Sequence, residues 1–150
     1  MKKLIFGGFA MIALAAFTLK PNSTSQNNNE ASGTPLSAVL LGSNEAPVTG
    51  DPDGMGTAEL SLNQGQGTIT YSIEVAGINT PTAAHIHEAG AGMAGPVIVP
   101  LNAPVNGVSS GVVMLSKEQI KEIRMNPEMY YVNVHNAEYP GGALRGQLSK

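Results

Sequence analysis

The chain has 150 residues, a formal net charge of −3 at pH 7, and no cysteine. This length suits one domain rather than two. The missing cysteines exclude disulfides, thiolate metal sites and cysteine nucleophiles. No Lys or Arg occurs between residues 33 and 116. Because nucleic acids and anionic membranes bind clustered cations, the sequence predicts no nucleic-acid partner and no binding to an anionic membrane.

The N-terminal segment has the pattern of an export signal. Two lysines are followed by an apolar run to Leu14, and Ala13-Leu14-Ala15 offers an A-x-A cleavage site. We predict a signal peptide over residues 1–15, with cleavage between positions 15 and 20; an uncleaved anchor is the alternative. Residues 16–33 are expected to form a disordered polar linker. The folded domain is then residues 34–150 of a secreted or periplasmic (cell-envelope) protein, without membrane insertion after signal cleavage.

Alternating hydrophobicity predicts an all-β domain. Residues 57–62 and 68–75 alternate apolar and polar side chains on either side of a Gly-rich turn, which indicates a hairpin. Ser116, with Gln119 three residues later, predicts a capping box that begins one short helix near 117–125. Short strands separated by turns are typical of a Greek-key β-sandwich or barrel. Further strands are predicted over residues 37–41, 83–88, 97–101, 108–115, 130–135 and 143–148.

All three histidines lie on predicted strands. His85 and His87 are two residues apart, so they share one strand face and Ile86 takes the other. His135 is expected to share a face with Asn133, away from the apolar side of its strand. Two imidazoles from one strand and one from a neighbour can meet a single ion. The pattern therefore predicts one mononuclear Cu or Zn site.

Other residues of the two histidine segments are candidates for supporting this site. Glu88 and Glu138 could orient the imidazoles or add ligands. Arg145 could meet an anion at the histidine face, or pair with a surface carboxylate such as Glu138. The remaining candidates in these segments are Asn133, Gly90, Gly95, Pro96, Gly141 and Gly142.

The histidines also fit a role without a metal. An H-x-H pair on a strand is common, and the imidazoles could hydrogen-bond to backbone carbonyls or to Asn133 and Glu138, which would lock the loop of residues 89–95. No Ser-His-acid spacing stands out, so the sequence indicates no catalytic residue and a non-enzymatic protein.

Several motifs in a fixed order resemble the CHRD (chordin) domain family. The resemblance covers residues 35–148 and implies an extracytoplasmic β domain. In animals such domains occur in chordin, a secreted antagonist of growth factors. The chain is accordingly expected to be a binding or structural module of the cell envelope or extracellular space, with a protein or envelope component as its partner. The motifs are Leu41-Gly42-Ser43-Asn44-Glu45-Ala46-Pro47, Ala84-His85-Ile86-His87, Gly95-Pro96-Val97, Tyr131-Val132-Asn133-Val134-His135 and Arg145-Gly146-Gln147.

A second, shorter resemblance involves residues 83–90, which are similar to the copper-binding segment of copper/zinc superoxide dismutases. It implies copper ligation by His85, His87 and His135, and an anion-steering role for Arg145. The two resemblances leave an immunoglobulin-like and a superoxide-dismutase-like fold open. That enzyme needs more histidines for its two-metal centre than the three present here, so dismutase activity is not expected.

Overall fold

The computed structural model describes residues 33–150; the predicted signal peptide and all but the last residue of the predicted linker lie outside the described residues. The predicted all-β class with a short helix is confirmed. Among the described residues, no helix is both long enough and apolar enough to cross a membrane. The elements are β1 (Thr34–Leu41), β2 (Met55–Asn63), β3 (Thr68–Ala76), β4 (Pro81–Glu88), β5 (Val97–Leu101), β6 (Val108–Met114), α1 (Lys117–Met125), β7 (Tyr130–Asn136) and β8 (Leu144–Gln147), with short 3₁₀ helices at Gly42–Asn44 and Pro127–Met129.

The eight strands form one antiparallel sheet in the order β5-β4-β7-β8-β1-β2-β3-β6, which curls into a nearly closed barrel. Asn102, directly after β5, links the two edge strands across the opening. Its backbone N–H donates to the Tyr71 hydroxyl at 2.9 Å, and its side-chain amide donates to the Ser110 carbonyl at 3.2 Å. Because β7 returns to pair with β4 after the run β4-β5-β6, the connectivity is the predicted Greek key.

Alternate side chains of each strand fill the barrel. The inward positions of β2 and β3 are apolar and buried, whereas most of the positions between them are exposed. The helix α1 begins at the predicted capping box, in which Ser116 Oγ accepts from Gln119 N and Gln119 Oε1 accepts from Ser116 N. It adds two isoleucines to the same core. The buried residues of these elements are Ala58, Leu60, Leu62, Ile69, Tyr71, Ile73, Ile120 and Ile123.

The same alternation places the histidines on the outside of the barrel. Ala84 and Ile86 of β4 point into the core, so His85 and His87 point outward. Register then aligns the outward residues of three strands, with His85 opposite Asn133 and Asn133 opposite Arg145. The loops of residues 42–54 and 89–96 contact this outer face, so it is buried although it lies outside the barrel.

Two valines on the edge strands test the assignment of inside and outside. Val99 of β5 is 3% exposed and Val108 of β6 is 61% exposed. Val99→Ala removes two core methyl groups, so we expect the free energy of unfolding to fall by about 2 kcal/mol. The matched variant Val108→Ala should change it by less than about 0.5 kcal/mol. Denaturant titration measures both values, and equal losses would contradict the assignment.

Candidate metal centre

The three histidines converge on the outer face of β4 and β7. His85 Nδ1 lies 3.1 Å from His135 Nε2. The centroid of the His87 ring is 5.5 Å from that of His85 and 6.2 Å from that of His135. One ring nitrogen from each residue lies within 4.8 Å of the other two. Three atoms with these separations have a common point that lies at most about 2.8 Å from each of them. An ion at that point would need each nitrogen to move closer by less than about 1 Å to reach the ~2.0–2.1 Å of a metal–imidazole bond.

Two backbone carbonyls fix the protonation of two of these rings. His87 Nδ1 lies 2.9 Å from the Gly95 carbonyl oxygen, and His135 Nδ1 lies 3.0 Å from that of Pro140. A carbonyl can only accept, so each Nδ1 carries the proton and donates, and each neutral ring keeps its lone pair on Nε2. The Nε2 atom of His87 is buried and has no hydrogen-bond partner among the described residues.

Burial favours the neutral form of the three imidazoles. The pKa values of His85, His87 and His135 all lie below 6.5, and burial is the largest cause of the decrease in each case. Neighbouring imidazoles lower the pKa of His85 further. For His135, the hydrogen bond to Pro140 raises the pKa and the His87 imidazole lowers it. For His87, the hydrogen bond to Gly95 raises the pKa and the Arg145 charge lowers it. Neutral rings carry the free lone pairs that metal ligation requires.

Arg145 lies beneath the loop of residues 89–96 and not at the surface. It is 1% exposed. Its Nη1 donates to the Met93 carbonyl at 2.7 Å and its Nη2 donates to the Gly90 carbonyl at 2.9 Å. The guanidinium carbon lies 3.5 Å from the centroid of the Tyr131 ring. These contacts commit Arg145 to the loop, so the structure supports neither the anion-steering role that the resemblance implied nor a pair with Glu138.

Glu45 is a buried residue of this region that sequence reasoning missed. Its carboxylate accepts a hydrogen bond from Asn133 Nδ2, and the Arg145 charge acts on it. It also packs against Gly142, whose φ of +149° suits glycine and where an added Cβ would contact the carboxylate. The signal was its place in the quoted motif that contains Asn44-Glu45-Ala46-Pro47, but a motif alone does not show that a glutamate is buried.

The structure leaves the other predicted acidic residues outside the cluster. Glu88 and Glu138 are exposed, and Glu138 Oε2 accepts from Asn79 Nδ2 at 2.8 Å. The Pro96 carbonyl accepts from Glu88 N at 3.2 Å, which closes the base of the loop of residues 89–96. Gly141 is exposed with open space around it. Within residues 33–150, the group of ligand atoms close enough to hold a metal contains only the three histidines.

The ionisation of Glu45 should appear as a pH dependence of stability. Burial raises the pKa of Glu45 from 4.5 to about 7, against the opposing effects of Arg145 and Asn133. At a pH between these two pKa values, Glu45 keeps its proton in the folded protein and has lost it in the unfolded chain. The contribution of Glu45 to the free energy of unfolding therefore falls as pH rises through this range. Glu45→Gln removes this titration, and its Tm relative to wild type should rise from about pH 5 to pH 8.

The matched control for Glu45→Gln is Glu59→Gln, which removes a carboxylate from the exposed face of β2. The trend assigned to Glu45 is the difference between the two variants, measured by thermal unfolding in the same buffers. A difference that does not change with pH would contradict the raised pKa of Glu45.

A family model described as the CHRD domain matches residues 36–148, a range that includes the three histidines, Glu45 and Arg145. No match was found among curated proteins or among solved structures. Since the family match spans well over half of the 150 residues, the chain belongs to the CHRD-domain family.

Proposed function

We propose that this CHRD domain is a non-enzymatic binding module of the cell envelope or extracellular space, and that it binds one transition-metal ion through His85, His87 and His135. The observation that carries the proposal is the pair of Nδ1–H groups held by the Gly95 and Pro140 carbonyls. A metal-binding histidine is commonly oriented in this way, with one ring nitrogen donating to a carbonyl and the other directed at the ion. His87 Nε2 has no partner among the described residues, whereas His135 Nε2 would exchange its contact with His85 Nδ1 for the ion. The predicted signal peptide supports export.

The donor set favours zinc or copper. Neutral imidazoles suit Zn²⁺ and copper ions, whereas Ca²⁺ and Mg²⁺ prefer oxygen ligands. The chain has no cysteine, and the cluster among the described residues contains no carboxylate. Three protein ligands leave a further coordination position for water or a small exogenous ligand.

A second candidate function is structural, and the hydrogen bonds of the same cluster favour it. His85 and His135 are 3.1 Å apart, and His87 and His135 are bonded to Gly95 and Pro140. These bonds tie two loops to the sheet without any ion. On this interpretation the histidines stabilise the loops, and the partner of the domain is a protein or another envelope component.

Metal content separates the two functions. The full chain is incubated with about 10 μM Zn²⁺ or Cu²⁺, freed of excess ion and analysed. We expect one equivalent of metal in the wild type and none in the double variant His85→Ala/His87→Ala, because one imidazole cannot hold the ion. Glu88→Gln and Glu138→Gln remove nearby acidic groups outside the cluster and should keep the full equivalent.

Two results would contradict the metal proposal. An unchanged equivalent in the double variant would place the ion elsewhere on the chain. No metal in the wild type, together with a lower Tm for His85→Ala, would favour the structural role. An unchanged Tm for His85→Ala would contradict the structural role in turn.

The pH dependence of metal affinity provides an independent prediction. Because burial lowers the pKa of all three imidazoles below 6.5, protons compete with the ion only below that pH. We expect the Kd to be nearly constant from about pH 8 to 6.5 and to weaken progressively below it. Competition titration with a chelator of known affinity measures this profile. A Kd that does not weaken at any pH at which the protein stays folded would contradict imidazole ligation.

A further inference from the structure

We propose that Arg145 is a positioning residue for His87: it acts through Tyr131 and the loop of residues 89–96 to hold that imidazole as the Nδ1–H tautomer with Nε2 free. The expected effect of Arg145 on metal affinity rests on the proposed function. Its effect on the imidazole itself requires no metal and can be measured separately.

The first step joins Arg145 to the loop. Its guanidinium donates to the Met93 and Gly90 carbonyls, at 2.7 and 2.9 Å. Gln147 assists, because its Oε1 accepts from Arg145 Nη2 at 3.1 Å and its Nε2 donates to the Ala89 carbonyl at 2.7 Å. Three loop carbonyls are thus held by two side chains of β8. Bonds from an ionised donor are stronger than neutral ones.

The second step joins the loop to His87. The Gly95 carbonyl accepts from His87 Nδ1 at 2.9 Å. The backbone N–H of Gly95 donates to the Tyr131 hydroxyl at 3.2 Å. Position 95 also needs glycine, since an added Cβ would overlap the Glu88 carbonyl. The peptide groups of Gly95 therefore connect the ring of His87 to Tyr131.

The third step is a stack of side chains that leads from Arg145 to His87. The Tyr131 ring is stacked on the His87 ring, with a centroid distance of 4.9 Å and an interplanar angle of 10°. The Arg145 guanidinium lies over the same tyrosine ring at 3.5 Å. Arg145 thus reaches His87 by two routes, through the loop carbonyls and through the Tyr131 ring.

The loop depends on these contacts because its own side chains can do little to order it. Residues 89–96 include three glycines, and apart from Met93 and Pro96 its other side chains are alanine methyl groups. Glycine loses the most conformational freedom on ordering. Without Arg145 the loop would have fewer bonds to repay that cost, and the Gly95 carbonyl would be held opposite His87 Nδ1 less firmly, by the bonds of Gly95 and Pro96 alone.

His135 provides an internal control. Its Nδ1 donates to the Pro140 carbonyl, which belongs to the loop between β7 and β8. The hydrogen bonds of the Arg145 guanidinium go to Gly90, Met93 and Gln147. A change at Arg145 should therefore alter the tautomer of His87 and leave that of His135 unchanged.

The test uses Arg145→Lys in the metal-free full chain. Lysine keeps the charge but lacks the planar fork that bonds two carbonyls and lies on the tyrosine ring. The ¹⁵N shifts of the imidazoles report each tautomer. In the wild type we expect Nδ1–H at His87 and His135. In the variant we expect a mixture of tautomers at His87 alone, and a metal Kd weakened about 10- to 100-fold.

Two further variants make the test specific. Tyr131→Phe keeps the ring and removes only the hydroxyl that accepts from Gly95, so it should shift His87 in the same direction by less. Arg124→Lys changes an arginine of α1 that donates to Gln64 at 3.4 Å, and should affect neither imidazole.

The outcomes separate the inference from the proposed function. An unchanged His87 tautomer in folded Arg145→Lys or Tyr131→Phe would overturn the positioning role, as would equal shifts at His87 and His135. A metal Kd in Arg145→Lys equal to that of the wild type would also overturn it. If Arg145→Lys changes the His87 tautomer but the wild type binds no metal, the first result supports the positioning role and the second overturns the proposed function.

Discussion

The outer face of this barrel depends on satisfying one buried cation. Removing a guanidinium from water costs several kcal/mol unless its N–H groups are bonded and its charge is compensated. Arg145 meets the first requirement with the Met93 and Gly90 carbonyls and the Gln147 amide. The Glu45 carboxyl, whose pKa burial raises to about 7, compensates the charge only where it is ionised. These groups come from segments with few apolar side chains to anchor them. The buried charge therefore holds the loop of residues 89–96 on the sheet, whereas the loop of residues 42–54 is held by the bonds of Asn133 to Glu45 and of Asp51 N to the Ala143 carbonyl.

The domain consequently has two interiors that follow different rules. The inner one is apolar, and it determines only which side chains of each strand face away from it. The outer one, between the sheet and its covering loops, is polar, and specific bonds order it. Asn133 illustrates the difference, since it is buried outside the barrel and donates to both Glu45 and the Leu144 carbonyl. The histidine cluster lies at the border of this polar layer, where backbone carbonyls from two loops reach the rings.

The division explains what could be predicted from the sequence. A two-residue period shows which face a side chain takes, so the outward direction of His85 and His87 followed from Ile86 alone. Periodicity cannot show what covers that face. The loops have no period, so the burial of Arg145 and Glu45 could not be derived. The two alternatives considered for Arg145, an anion at the histidine face or a pair with Glu138, missed its loop partners for the same reason, because proximity along the chain gave no information about the covering loop. The helix near 117–125 was predicted because a capping box is a local signal.

The polar layer also bears on how an ion would be bound. The bonds among Arg145, the loop and His87 form without metal, so an ion would meet a preformed arrangement rather than fold the chain around itself. The folded protein carries a cost for this, because a buried acceptor such as His87 Nε2 loses its bond to water and gains none from residues 33–150 in return. An ion at that atom would remove the cost. The buried arginine is connected to the proposed metal centre because the loop that it bonds carries the Gly95 carbonyl, which holds the proton on His87 Nδ1 and leaves Nε2 for the ion.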